Sequence, residues 1–378
     1  MKTALVVGGT GPTGPHIVNG LLGRGYEVSV LHGGFHEVEF AVPVEHIHTD
    51  PHFKETLEVG VDKRKWWDLM IFTYGRLRIG VEVAKGRTGR FIGVGTVDGV
   101  ARTTDPRWGL LGKPFNVREE FLVPESDMVN AKMGARIAEA REAVFQAHRD
   151  GHYNATYIGY PVIYGPRAQA PKDWCIVRRI LDGRRRLIIA DGGSQVLHRG
   201  YAENVAHGLL LAVDRPDAAA GRDFVVKDQR QYNLRQRIET IAKYMGHEWE
   251  MVDMPWEFGV PSRPYTPGRD PWVRDTGRIE TELGYRDVVP MEAALKKTVD
   301  WLLEGRPEPG GEVETQIGDP FDYEKEDQII DAWERLRGQM QSEMAGIGFE
   351  IAPPAHAYRH PKAPGEAWRR PEQVRPME

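Results

Sequence analysis

Gly8, Gly11 and Gly14 recur at three-residue intervals in Val6-Val7-Gly8-Gly9-Thr10-Gly11-Pro12-Thr13-Gly14-Pro15-His16. Bare backbone at that spacing can approach an anion closely, and its free N–H groups can hold a phosphate. The flanks decide whether it does so. Ala4 to Val7 is an apolar run suited to a buried parallel strand, and Ile17, Val18, Leu21 and Leu22 recur at helical spacing, so the glycines stand where a strand turns into a helix. In that setting Gly8 makes the tight turn, Gly11 lets the backbone meet a pyrophosphate, and Gly14 lets the helix pack on the strand. Pro15 suits the first helical turn, where its missing N–H is no loss. Thr10, Pro12 and Thr13 line the same turn. The stretch reads as a dinucleotide cradle.

Other side chains with chemical capacity fall at the ends of the strands that follow. Glu27 to His32 reads as a second strand stopping at Gly33-Gly34. An acidic residue there would hold the ribose hydroxyls of NAD, and an arginine would suit the 2′-phosphate of NADP. Neither stands at position 33. His32, His36 and Glu37 are the nearby polar groups, so NAD and NADP both stay open, with the missing arginine favouring NAD. Val44 to His48 reads as a third strand leading to Asp50, which either accepts from an adenine amine or caps the helix that starts near Phe53. Trp67 to Phe72 reads as a fourth strand. It delivers Thr73 and Tyr74 to the carboxyl edge of the sheet, where open α/β sheets bind their ligands.

Composition sets the frame for these elements. The chain has 378 residues, 40% of them hydrophobic, and a formal charge of −5, which suits a large α/β domain with a second lobe and gives no global reason to expect nucleic acid or a membrane as partner. Cys175 is the single cysteine, so no intramolecular disulfide is expected, and the broken apolar run at the N-terminus is too short for a signal peptide or a span; the expected location is cytoplasmic. Thirteen histidines are present, but His46 and His48 alternate on a strand and no histidine, cysteine and carboxylate set shows ligand spacing in the sequence, so no metal site is expected. A Gly-x-Ser-x-Gly elbow is also missing.

Further along, Arg90 to Val94 reads as a fifth strand with Thr96 at its end, Ser126 to Arg149 as a long helix, and Asn154 to Ile158 as a sixth strand. This βα alternation is that of a doubly wound parallel sheet. The expected organisation is a Rossmann-type domain over 1–166, with a later helix around 201–213 packing back on it. A substrate lobe over 167–303 and a helical, Pro-rich extension over 304–378 follow. Arg167, Lys172, Arg178, Arg179 and Arg184 to Arg186 make the start of the second lobe basic, with Trp174 among them. They would either meet an anionic substrate or form a solvated face. A small-molecule substrate is expected, and a homo-oligomer is compatible with the extended tail.

The glycine turn, Tyr160-Pro161-Val162-Ile163-Tyr164-Gly165-Pro166, Tyr201-Ala202-Glu203-Asn204-Val205-Ala206, and Asp275-Thr276-Gly277-Arg278 with Leu283-Gly284-Tyr285 together resemble the extended and atypical short-chain dehydrogenase/reductases, the NAD-dependent epimerase/dehydratase group. The resemblance covers roughly residues 1 to 303. It implies a nicotinamide dinucleotide bound to a Rossmann domain, with Tyr160 beside it, and a polar alcohol or carbonyl substrate. It also implies a Ser/Thr, a Tyr and a Lys four residues after the Tyr as the reacting set. Thr96 and Lys132 match two of these, Lys132 doubling as a contact to the nicotinamide ribose. The tyrosine's position holds Met128, which cannot carry a proton. Tyr74 is the first candidate to replace it, with Tyr164, His198 and Tyr201 as further ones; Tyr164, Arg167, Trp174, His198 and Tyr201 are expected around the substrate, with plain packing the alternative for Tyr164 and Tyr201. The function so implied is an oxidoreductase, or a redox-neutral epimerase or dehydratase. The other reading is a nucleotide-binding regulatory or RNA-binding protein that has lost redox chemistry, to which Met128 and the Arg-rich run with Trp174 belong.

Overall fold

A computed structural model describes residues 1–96, 128–266, 274–349, 351 and 364–365, with backbone alone for 128–134. The chain divides into two units, Met1–Phe321 and Asp322–Glu378.

The first unit is built on a parallel sheet of seven strands. In chain order these are β1 (Lys2–Val7), β2 (Tyr26–His32), β3 (Glu45–His48), β4 (Leu69–Phe72), β5 (Arg90–Thr96) and β6 (Asn154–Tyr160), followed, after a short pair β7 (Val162–Tyr164) and β9 (Arg199–Tyr201), by β10 (Arg222–Val225). The order across the sheet is β10-β6-β5-β4-β1-β2-β3. Strand order therefore reverses between β1 and β4, and the crevice beyond their carboxyl ends is the topological switch point where such sheets take ligands.

The central strands β1 and β4 are buried on both faces, which is why they read as continuous apolar runs. Along β1, Ala4 and Val6 point to one core and Leu5 and Val7 to the other. The first core is closed by α1 (Gly14–Leu22), through Ile17, Val18 and Leu21, and by α6 (Ala202–Asp214), through Val205 and Leu209. The second is closed by α2 (Lys54–Val61), α3 (Leu77–Ala84) and α4 (Met128–Arg149), which supply Leu57, Val81 and Val144. Helix α6 packs on α1.

The remaining elements of this unit are α5 (Trp174–Leu181), β8 (Arg186–Ala190), α7 (Leu234–Met245), β11 (Glu250–Met254), α8 (Gly277–Glu282), α9 (Met291–Glu304) and α10 (Glu312–Ile317). Strands β8 and β11 pair in parallel, and α5, α7 and α9 share a core of Trp174, Val177, Leu187, Ile238, Ile241, Val299 and Leu302. Asn233 closes a reciprocal capping box with Gln236 at the start of α7, and Gly246 ends the helix at φ 67°.

In the second unit α11 runs Tyr323–Ile347, capped by the Asp322 carboxylate accepting from the Lys325 amide at 3.2 Å. Leu336, Met340 and Met344 stand exposed at four-residue intervals along it. Among the described residues no helix is long and apolar enough to cross a membrane.

Candidate functional site

At the switch point Gly8 and Gly14 are packed into the turn and against the helix. Gly8 turns at φ +106°, and a Cβ there would lie 2.1 Å from Thr73 Oγ1 and 3.1 Å from Tyr74 Cβ. Gly14 sits on the backbone of Gly9, whose carbonyl oxygen would be 2.0 Å from an added Cβ, so the helix can close on the turn only without a side chain. Gly11 differs: an added Cβ meets nothing within 4 Å. Its lack of a side chain therefore leaves space above the turn that no atom of the described residues fills. Pro15 occupies the first helical turn of α1, and Thr13 has no side-chain capping bond there.

Thr73 donates both its amide (2.8 Å) and its hydroxyl (2.9 Å) to the Val7 carbonyl, so the hydroxyl secures β4 to β1. Tyr74 is 52% exposed, beside the glycine turn, with its ring edge-on to His52 at 5.0 Å. His52 in turn donates its amide to Asp50 Oδ1 at 2.8 Å and sets its Nδ1 against the same oxygen. Asp50 thus makes a turn before α2 rather than a cap, since Phe53 is the cap position and has no side-chain bond. That hydrogen bond from the His52 amide holds the Asp50 carboxyl below its ordinary range. Gly75 follows at φ +93°, pressed on Pro51, and fixes where Tyr74 emerges.

Thr96 ends β5 on the exposed edge, and its carbonyl accepts from Tyr157 Oη at 2.9 Å. Met128 opens α4 and Lys132 lies one turn in, but their side chains are outside the described residues. Tyr160 ends β6; burial raises its phenol against the opposing influence of Thr13.

The residues expected around a substrate are mostly committed to the interior. Tyr164 is 3% exposed, donates to Asp228 Oδ2 at 2.7 Å and lies under the Arg237 guanidinium. Burial, then the Asp228 charge, pushes its phenol well up. Tyr201 packs on Gly165, and its amide donates to Asp228 Oδ1 at 2.9 Å; burial takes its phenol to about 12. Asn204 donates to the same carboxylate at 2.8 Å. Burial of Asp173 would by itself raise its carboxyl, but two 2.6 Å hydrogen bonds from Arg237 outweigh it and keep the carboxyl low. Trp174 is buried and donates Nε1 to Glu314 at 2.9 Å. His198 is fully buried, accepts from the Arg274 amide at 3.3 Å, and is brought down to about 3, first by burial and then by Lys227 and Arg274, so it is neutral near pH 7. Arg167 alone of this group is exposed, at φ +65°.

Within the basic run Lys172, Arg178 and Arg179 are paired with the protein itself, while Arg167 and Arg185 are exposed. Arg179 is wholly buried against Asp319 at 2.6 Å, Arg178 pairs with Asp182 and Glu314, and Lys172 donates to the Ile317 carbonyl at 2.5 Å. Their partners come from 136 or more residues later in the case of Glu314, Ile317 and Asp319, which no local reading reveals.

The fold brings together a histidine set that shows no ligand spacing in the sequence. His32, Glu37, His46 and His48 bring one ligand atom each within 4.8 Å of one another. Strand β2 lies parallel to β3 with Val30 opposite His46 and His32 opposite His48, so the three imidazoles share one face. The readable signal was His46 and His48 two apart on a strand; what hid the set was that its members come from two strands and the loop between them.

No family model and no curated protein sequence matches the chain. Solved structures do. A UDP-glucose 4-epimerase from Thermotoga maritima is 19% identical over 81% of this chain and all of its own, with a TM-score of 0.61. A dTDP-glucose 4,6-dehydratase from Bacillus anthracis, solved with NAD, is 16% identical over 81% of this chain and 98% of its own, at 0.60. A UDP-glucuronic acid 4-epimerase from Bacillus cereus, solved with UDP-glucuronic acid and NAD, is 17% identical over 80% and 99%, at 0.59. The chain has the fold of these proteins: a doubly wound Rossmann sheet with a smaller C-terminal lobe.

Proposed function

We propose that this chain binds NAD across the Gly8–Gly14 turn and acts as an NAD-dependent oxidoreductase, epimerase or dehydratase on a polar alcohol or carbonyl, with a nucleotide sugar as the substrate class its structural neighbours favour. The observation that carries the reading is Gly11. Gly8 and Gly14 are glycines because neighbouring atoms leave no room, whereas Gly11 is bare over open space, as close approach by a ligand requires.

When bound, NAD supplies a carbon that takes or gives a hydride. The chain's own residues do the rest. The turn and the first amides of α1 hold the pyrophosphate, and His32 borders the adenosine ribose. Thr96, at the end of β5, orients the reacting oxygen, and Lys132 contacts the nicotinamide ribose. With Met128 unable to carry a proton and Tyr164 and Tyr201 turned into the core, Tyr74 is the phenol that holds the proton exchanged with the substrate oxygen. The regulatory or RNA-binding alternative draws little support, since Arg178 and Arg179 are paired inward and Trp174 is buried.

The test is Gly11→Val with NAD and NADH titrated by calorimetry. An added Cβ meets no atom of the described residues, so the variant should keep its circular dichroism and melting temperature while losing affinity by 100-fold or more. Unchanged affinity would remove the cradle and with it the proposal. Mass spectrometry of any nucleotide released on denaturing the purified protein separates NAD from NADP.

A further inference from the structure

Twelve residues, 33–44, join β2 to β3 without regular structure, a length that compact domains seldom leave unsupported unless it has a use. Glu37, near its middle, reaches back to the sheet: one carboxylate oxygen lies 3.0 Å from His48 Nε2 and the other 3.1 Å from His46 Nδ1. His46 Nδ1 is also 2.8 Å from His32 Nε2. Four atoms able to donate a lone pair thus converge from two strands and a loop.

Protons alone do not satisfy this set when the imidazoles are neutral. Gly34 donates its amide to His32 Nδ1 at 3.2 Å, which leaves the His32 proton on Nε2, aimed at His46 Nδ1. His46 then turns that same unprotonated nitrogen toward the Glu37 carboxylate. The opposite assignment, with the proton on His46 Nδ1 shared toward Glu37, forces His32 to carry its proton on Nδ1 against the Gly34 amide. Either way two like groups face each other. A cation among the four atoms removes the conflict. Three separations, 2.8, 3.0 and 3.1 Å, are near the about 3.3 Å that tetrahedral zinc with ligands about 2.0–2.1 Å away sets between them, and the wider ones, all within 4.8 Å, close on loading.

We propose that His32 Nε2, His46 Nδ1, His48 Nε2 and a Glu37 carboxylate oxygen form a tetrahedral site for a zinc-type divalent ion, which clips the 33–44 loop to the ends of β2 and β3. Three imidazoles and one carboxylate are a borderline donor set, suited to Zn²⁺ and poorly suited to the oxygen-seeking Mg²⁺ or Ca²⁺. Loading moves the His32 proton to Nδ1, so the Gly34 amide turns away and the loop resettles, which the positive φ of Gly34 permits. With four protein ligands the site is closed, and its role is to hold the loop rather than to activate water. The site needs no dinucleotide, so it stands or falls separately from the proposed NAD site.

The experiment titrates the full chain, stripped with chelator, with Co²⁺ and then Zn²⁺. One Co²⁺ per chain should bind with the intense visible absorption of tetrahedral cobalt, Zn²⁺ should displace it, and hydrogen exchange in 33–44 should slow. Glu37 and His48 are exposed, so Glu37→Gln and His48→Ala should fold normally, as circular dichroism can verify, while losing at least tenfold in affinity. In the His46→Ala/His48→Ala double variant the absorption should vanish. An octahedral cobalt spectrum, or a stoichiometry and affinity that the double variant leaves unchanged, would overturn the proposal by placing the ion on unrelated surface histidines. So would failure of the parent chain to bind.

Discussion

Tyr74 stands at the carboxyl edge of the sheet with its ring half in solvent, and the proposed function makes its phenol the one whose loss should be felt in turnover. Tyr74→Phe should lower kcat by about 10²–10⁴, the usual contribution of a positioned general acid, with NAD affinity unchanged. Full activity in Tyr74→Phe with native substrate would move the proton elsewhere. Lys132→Met should instead weaken NAD binding and rate together. At this scale the glycines were legible because a backbone requirement is written in a residue's own identity. The roles of Tyr164, Trp174 and Tyr201 were not, because a phenol or indole reads the same whether it meets a substrate or a buried carboxylate. Asp228 lies 64 residues beyond Tyr164, and Glu314 lies 140 beyond Trp174.

Elements were legible where periodicity and punctuation agreed. Asn233 and Gly246 bracket an apolar face of Leu234, Ile238 and Ile241, and the helix runs between them. Asn233→Ala removes the carboxamide oxygen that accepts from the Gln236 amide, leaving the backbone half of the box, and should cost about 1 kcal/mol in urea unfolding, with no effect on NAD binding. A cost within error would show that packing against α5 and α9 alone holds the first turn. Strand β10 escaped the sequence reading: in Arg222-Asp223-Phe224-Val225 only Phe224 is buried, too little pattern to mark a strand. The histidine set escaped because ligand spacing is a rule about neighbours in sequence, and strand pairing makes neighbours that sequence distance does not measure.

Across the whole molecule, burial makes stability depend on pH. His198 is held at about 3 while an unfolded chain takes the proton near 6.5, so the unfolded state gains as pH falls through that window. Stability should decline from about pH 6.5 toward 3 by on the order of 4–5 kcal/mol from this residue. Burial lifts Asp287 to about 6, and that acts in the other direction, stabilising the fold as pH falls from about 6 toward the ordinary carboxylate value. His198 is moved further and is the more deeply enclosed, so the net acid limb should fall. His198→Asn should flatten it in denaturant titrations across pH 4–7, and an unaltered limb would assign the acid sensitivity to other groups. The Arg179–Asp319 pair sets a second global dependence. Asp319→Asn leaves a buried guanidinium without its counter-charge and should cost about 3–5 kcal/mol. A loss below 1 kcal/mol would mean that water reaches Arg179.

That same pair gives synthesis an order. The carboxylate that Arg179 needs is 140 residues further along the chain, which at ribosomal rates is roughly 7–28 s away. Until Asp319 leaves the exit tunnel, the lobe that will enclose Arg179 cannot close without trapping a bare charge. The glycine-turn strands are then complete while their neighbour waits. Ribosome-stalled chains long enough to expose residue 300 but not 321 should remain protease-sensitive around α5, and chains exposing 321 should become resistant; equal resistance at both lengths would show that the lobe closes before its last ion pair exists.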